Sequence, residues 1–289
     1  MSLAFEQKMI PTNGVQLHTI VAGPASGPLV ILLHGFPEFW YSWRHQIAPL
    51  AAAGYRVLAP DQRGYNLSAK PKGLGAYRLE ELARDIVGLI DAAGREQAYI
   101  VGHDWGGVVA WWLALKHPRR VAKLAVLNAP HPAVMRQHLW RNLAQLRKSW
   151  YFFFFQLPLL PEQRMRADHW SIGVRALRAT ARRGTFTEAD FEQYRQAWSQ
   201  PGAATAMINW YRAMLRRSAR LDFGPRVHVP TLLLWGARDR FLGRELAQPS
   251  IELCEHGQLV FMEEASHGLQ HEEPQRVTEA LLNFFAEGI

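Results

Sequence analysis

Apolar residues along this chain fall into two rhythms. Short, almost unbroken apolar runs of strand length recur at 29–33, 55–59, 99–101, 124–127, 231–235 and 259–262. A strand with one wet face alternates apolar and polar residues, whereas a strand covered on both faces does not. These runs therefore predict buried parallel strands. Longer stretches with helical spacing lie between or beside them, at 43–53, 79–93, 108–116 and 274–286. Strand and helix in alternation predict a doubly wound α/β sheet, mostly parallel, with helices on both faces. Near the start, Asn13-Gly14 separates 5–10 from 15–21. Both residues tolerate positive φ, so the pair predicts a tight hairpin.

One interval breaks the rhythm. About a hundred residues between Asn128 and Val229 carry no strand signal and are helical in pattern, with Thr187-Glu188-Ala189-Asp190 as a helix start. The reading is a helical cap at 133–220, inserted after the sixth strand between core segments 1–132 and 221–289, and set over the strand ends where ligands bind in such folds. The cap is basic. It holds fifteen Lys/Arg against five Asp/Glu, a net of +10 in a chain whose total is +8. Such a patch suits nucleic acid or anionic lipid, but its charges form no dense run, and a solvated helical exterior is the preferred reading. No nucleic-acid partner is expected. The run 150–160 is interrupted by Gln156 and Pro158 and is too short to span a bilayer, so no stable membrane insertion is expected and the run reads as an apolar wall. A single cysteine, Cys254, rules out an intrachain disulfide. With an N-terminus that lacks the pattern of a signal peptide, it points to a cytoplasmic protein.

The chemistry starts at Gly102-His103-Asp104-Trp105-Gly106-Gly107, between an apolar strand run and an apolar helical run. Small, any, nucleophile, any, small is the pattern of a strand-to-helix turn that lifts one side chain out of the sheet. Here that side chain is a carboxylate. An aspartate attacking a saturated carbon forms an ester that water can cleave, whereas a serine would form an inert ether. Asp104 therefore implies an alkylating electrophile, an epoxide or a carbon–halogen bond. The bland alternative is a buried Asp capping the helix.

Such a nucleophile needs a base for water and an acid to orient the base. His267 follows the last strand run directly and is preferred over His271, four residues on. Asp239, in Trp235-Gly236-Ala237-Arg238-Asp239, is the orienting acid, since the equivalent place after the preceding strand holds Asn128, which carries no charge. His34 and His103 read as structural. The amides of Phe36, in His34-Gly35-Phe36-Pro37, and of Trp105 are expected to form the oxyanion hole.

With these pieces and Asp61-Gln62-Arg63-Gly64-Tyr65, the chain resembles the epoxide hydrolases of the α/β-hydrolase superfamily over nearly its whole length. The resemblance implies the α/β-hydrolase fold. It also implies a pair of tyrosines, for which Tyr151 in Tyr151-Phe152-Phe153-Phe154-Phe155 and Tyr211 in Asn209-Trp210-Tyr211-Arg212 stand in matching contexts. Two phenols polarise the epoxide oxygen and protonate the alkoxide, typically a ~10²–10⁴-fold effect. Pro37, Phe155 and Trp210 are expected around the substrate. The partners are then a small apolar epoxide and water, with no cofactor and no metal; a homodimer, and detoxification against catabolism, stay open. Gly268 stands where the family usually has a large aromatic, which would loosen the wall beside the base. The rival readings are a dehalogenase with the same triad, an esterase, and a non-catalytic binding protein. Trp105 replaces the arginine that haloacid-type relatives use, and the elbow has no serine.

Overall fold

The computed structural model describes residues 5–141, 150–217, 224 and 226–287, the side chains of 139–141 and 217 excepted. Eight strands form one sheet: β1 (Glu6–Thr12), β2 (Val15–Ala22), β3 (Leu29–Leu33), β4 (Arg56–Pro60), β5 (Ala98–His103), β6 (Val121–Leu127), β7 (Thr231–Gly236) and β8 (Gly257–Met262). Their order is β1-β2-β4-β3-β5-β6-β7-β8. Only the pairings of β2 with β1 and β4 are antiparallel. Asn13 and Gly14, at φ 42° and 73°, make the hairpin the sequence predicts.

The central strands lie under helices on both sides. Alternate residues point to opposite faces. Ile31, Leu33, Ile100 and Leu124 join the core beneath α2 (Leu79–Ala92) and α3 (Trp105–Lys116). Val30, Leu32, Val101 and Ala125 join the core beneath α1 (Arg44–Ala52) and the terminal helix (Pro274–Ala286). The buried-strand expectation fails at β8, the edge strand of the sheet, where Val260 is 38% exposed because its face there lies beyond the covering helices. Helix α3 begins three residues earlier than its apolar spacing indicates, at Trp105 itself.

Between β6 and β7 the described residues form α4 (Pro132–Arg141), α5 (Trp150–Phe154), α6 (Leu160–Ala179), α7 (Glu188–Trp198) and α8 (Ala203–Arg217). Thr187 caps α7 in a reciprocal box with Asp190, as its sequence predicts. Helix α6 is interrupted at 167–170, where Asp168, His169 and Trp170 adopt left-handed dihedrals. These helices pack on the loops at the carboxyl ends of β3 and β5. Tyr211 meets Trp105 edge-on with centroids 4.9 Å apart, and the Trp198 indole donates to the Pro37 carbonyl. The run 150–160 is an inner wall on one side only. Trp150 and Phe153 are 61% and 55% exposed, because a helix turns its residues both ways. After the helices, α9 (Ala247–Ile251), α10 (Leu269–Glu272) and α11 (Pro274–Ala286) complete the chain.

Candidate active site

Asp104 directly follows β5, in the middle of the sheet, with a backbone at φ 50°, ψ −118° that a side-chain-bearing residue seldom adopts. The turn closes because its neighbours lack side chains. A Cβ on Gly102 would lie 2.3 Å from the Gly106 carbonyl oxygen, and one on Gly106 would lie 2.1 Å from that of Leu33. The strained turn holds the carboxylate clear of the sheet. Its Oδ1 accepts the Phe36 amide at 2.9 Å, and Oδ2 faces His267 Nε2 at 3.6 Å, too far for a hydrogen bond.

Behind His267 the contacts are short. Its Nδ1–H donates to Asp239 Oδ2 at 2.7 Å, the tautomer being set by a carboxylate that only accepts. Asp239 is itself fixed. Its Oδ1 accepts the amides of Phe241 and Leu242 at 2.7 and 3.0 Å, and Oδ2 accepts the Asn128 side-chain amide at 2.5 Å. Asn128 in turn accepts the Gly236 amide at 2.7 Å. So the Asn set aside as uncharged is the brace that ties Asp239 to the strand ends. Its place after β6, next to β7, was the available signal.

The electrostatics follow. Burial works against ionising Asp104, but His267, His103 and the Phe36 amide outweigh it and hold the carboxyl below its ordinary value. Burial likewise opposes a charged His267, yet Asp239 and Asp104 together raise it well above the ordinary histidine value. Burial and the charge of Asp104 both raise Tyr151, and the same causes, with Tyr151 as a neighbour, raise Tyr211 well above 10, so each phenol keeps its proton at neutral pH.

The two tyrosine rings are 5.9 Å apart. Tyr211 lies among Phe36, Trp105, Phe152 and Phe155 at 4.8–5.0 Å, and Phe155 also meets Phe36 at 5.5 Å. The structure thus brings Asp104, His267, Asp239, Phe36, Trp105, Tyr151, Tyr211 and Phe155 into one place. Trp210 stands a layer back, 1% exposed, its indole donating to the Arg63 carbonyl at 2.9 Å and its ring against Trp105. Pro37 follows a cis peptide bond and packs towards Trp198 through its carbonyl. The backbone at Gly268 is held in place. Its amide donates to the Thr180 carbonyl at 2.6 Å, and Phe241 packs on His267 at 5.5 Å.

A second buried cluster lies behind the triad. Glu38 accepts Tyr194 Oη at 2.6 Å and His271 Nε2 at 2.8 Å. Against the cost of burial, His271, His103 and Tyr194 bring its carboxyl down to about 2. His103, pushed to about 4 by burial and by the neighbouring His267, donates through Nε2 to the His267 carbonyl at 2.8 Å. His271 is therefore committed to Glu38 and to Arg44, whose Nη1 donates to its Nδ1 at 2.8 Å. Sequence reasoning missed Glu38; a carboxylate directly after Pro37 in a strand-end loop was the only signal. Among the described residues, no group of three His, Cys, Asp or Glu side chains is arranged to hold a metal ion.

Comparison with known proteins agrees with this geometry. Residues 28–274 match the alpha/beta hydrolase fold family. The chain is 47% identical to the AB hydrolase superfamily protein YfhM of Bacillus subtilis, over 96% of both chains. It is 38% identical to human epoxide hydrolase 4, over 96% of this chain and 78% of that protein. Its fold superimposes on an inhibitor-bound epoxide hydrolase of Bacillus megaterium with a TM-score of 0.89, at 31% identity, over 97% of this chain and all of the other. A carboxylate at the elbow, the histidine facing it and these relatives lead to one assignment: the chain belongs to the epoxide hydrolases of the α/β-hydrolase superfamily.

Proposed function

We propose that this chain converts apolar epoxides to vicinal diols through an ester on Asp104, with the helices at 133–220 acting as the cap over the site. The observation that carries the reading is a carboxylate, not a hydroxyl, at the strained turn, facing a His–Asp pair, with two protonated tyrosines packed on Phe36 and Trp105 beside it.

Tyr151 and Tyr211 hold the epoxide oxygen. Asp104 attacks a ring carbon, the C–O bond breaks, and a phenol proton goes to the oxygen that leaves. Esterification removes the charge on Asp104, one of the two that hold the proton on His267. His267 then gives up that proton, which restores the phenol that protonated the leaving oxygen, and becomes a base just when one is needed. It takes a proton from water, and the hydroxide attacks the ester carbon. The amides of Phe36 and Trp105 hold the oxyanion, each such donor contributing ~3 kcal/mol in other enzymes. Collapse returns the carboxylate and frees the diol. The aromatic lining fits an apolar substrate, and no step requires a metal or an organic cofactor.

The test is mass spectrometry of protein mixed with styrene oxide. His267→Gln should accumulate protein heavier by one substrate mass, and Asp104→Ala should neither gain mass nor turn over. Rapid diol formation by either variant overturns the scheme.

A further inference from the structure

Helix α5 has two faces with different neighbours. Tyr151 and Phe155, one turn apart, face the nucleophile's surroundings, with Phe155 meeting Phe36 and Tyr211 edge to face. Trp150 and Phe153, three apart on the other side, are 61% and 55% exposed, and Leu157, in the turn after the helix, is 45% exposed. Leu159 and Leu160 extend the ridge, at 69% and 40% exposed. Exposed apolar residues scattered singly need no explanation, but five large ones within eleven residues do.

The margin of this ridge is cationic. Arg164 lies four residues after Leu160 on α6 and is exposed. Helix α8 is fastened to the ridge by Arg212, which donates to the carbonyls of Phe155 and Leu157 at 2.8 and 2.6 Å and pairs with Glu162 at 2.6 Å. One turn further, α8 presents Leu215, 38% exposed, and Arg216, also exposed.

We propose that the outer face of α5, with the turn behind it, is a docking surface for an anionic lipid bilayer. Tryptophan and phenylalanine settle at headgroup depth, leucines enter the acyl boundary, and arginines meet the lipid phosphates. The charge decides against a second copy of the chain. A two-fold contact across this ridge would set Arg164 and Arg216 among their own duplicates, whereas an anionic surface neutralises them. Among the described residues no helix is long and apolar enough to cross a membrane, so the contact is peripheral. Taken with the epoxide reading above, on which this clause rests, the docked face puts Tyr151 one helix-width from a reservoir in which apolar epoxides dissolve.

Co-sedimentation of the full chain with vesicles tests this. Binding is expected to mixed phosphatidylglycerol–phosphatidylcholine vesicles and not to phosphatidylcholine alone, and to weaken roughly tenfold between ~0.1 and ~1 M salt. Arg164→Gln should weaken it roughly fivefold, about one interfacial cation's share. Phe153→Ser with Leu157→Ser should abolish it, while both variants hydrolyse styrene oxide in water at the wild-type rate. No sedimentation with anionic vesicles, or binding that the double variant leaves unchanged, overturns the proposal. A dimer in solution that the double variant dissolves assigns the face to a second copy and overturns it too. Vesicle binding by a protein that makes no diol supports the docking surface and refutes the epoxide reading.

Discussion

Asp104 and His267 share charge, so the ionisation of each depends on the other's chemical state. In the free protein the aspartate lies below its ordinary value and the histidine above. Asp104 is thus ionised throughout the neutral and mildly acid range, and alkylation should persist there. On the proposed ester route hydrolysis needs neutral His267, whose pKa falls once Asp104 is uncharged, so this step alone should fail as pH drops through the histidine range. Single-turnover kinetics read both steps. An alkylation rate that falls together with hydrolysis between pH ~7 and ~5 would contradict the coupling. Replacing either Tyr151 or Tyr211 with Phe should slow alkylation by roughly 10²-fold without slowing decay of the ester, and the same pre-steady-state traces measure it. At this scale the sequence was legible wherever a residue type is itself rare for its position, as Asp104 is at an elbow. Asn128 and Glu38 were not legible, because an Asn and a Glu in loops become informative only once their neighbours are known.

Elements are joined here by single buried side chains. Glu38, in the loop after β3, receives Tyr194 from α7 and His271 from α10. Its carboxyl is held at about 2 against an ordinary 4.5, so its contribution to stability is complete above pH ~4.5 and is lost as pH falls towards ~2. Glu38→Gln should cost about 2–4 kcal/mol near neutrality, a drop of roughly 5–10 °C in Tm, and the gap from wild type should close as melts are taken to pH ~2. A gap independent of pH would contradict the ionised state. Most elements were readable from period alone. Asn13-Gly14 gave the hairpin, Thr187 with Asp190 gave the start of α7, and Pro274 gave the start of α11. β8 and α5 were misread for one reason. An apolar run states that residues are hydrophobic, not that both of its sides are covered.

Across the whole molecule, the helical character of the interval between β6 and β7 was legible and its packing was not. A hundred residues without strand rhythm mark an insertion between β6 and β7, but its attachment depends on pairs far apart in sequence, such as Arg212 with Glu162 and Tyr194 with Glu38. One attachment has a mechanical result. The Thr180 carbonyl, between α6 and α7, accepts both the Gly268 amide and Ser266 Oγ, the two residues flanking His267, and Arg182 pairs with Glu272 just beyond. These contacts tie the 180–182 segment to the histidine loop, so displacing one disturbs the other. The segment at 180–182 and the histidine loop are therefore expected to move as one piece, so that any shift of the first re-aims the base.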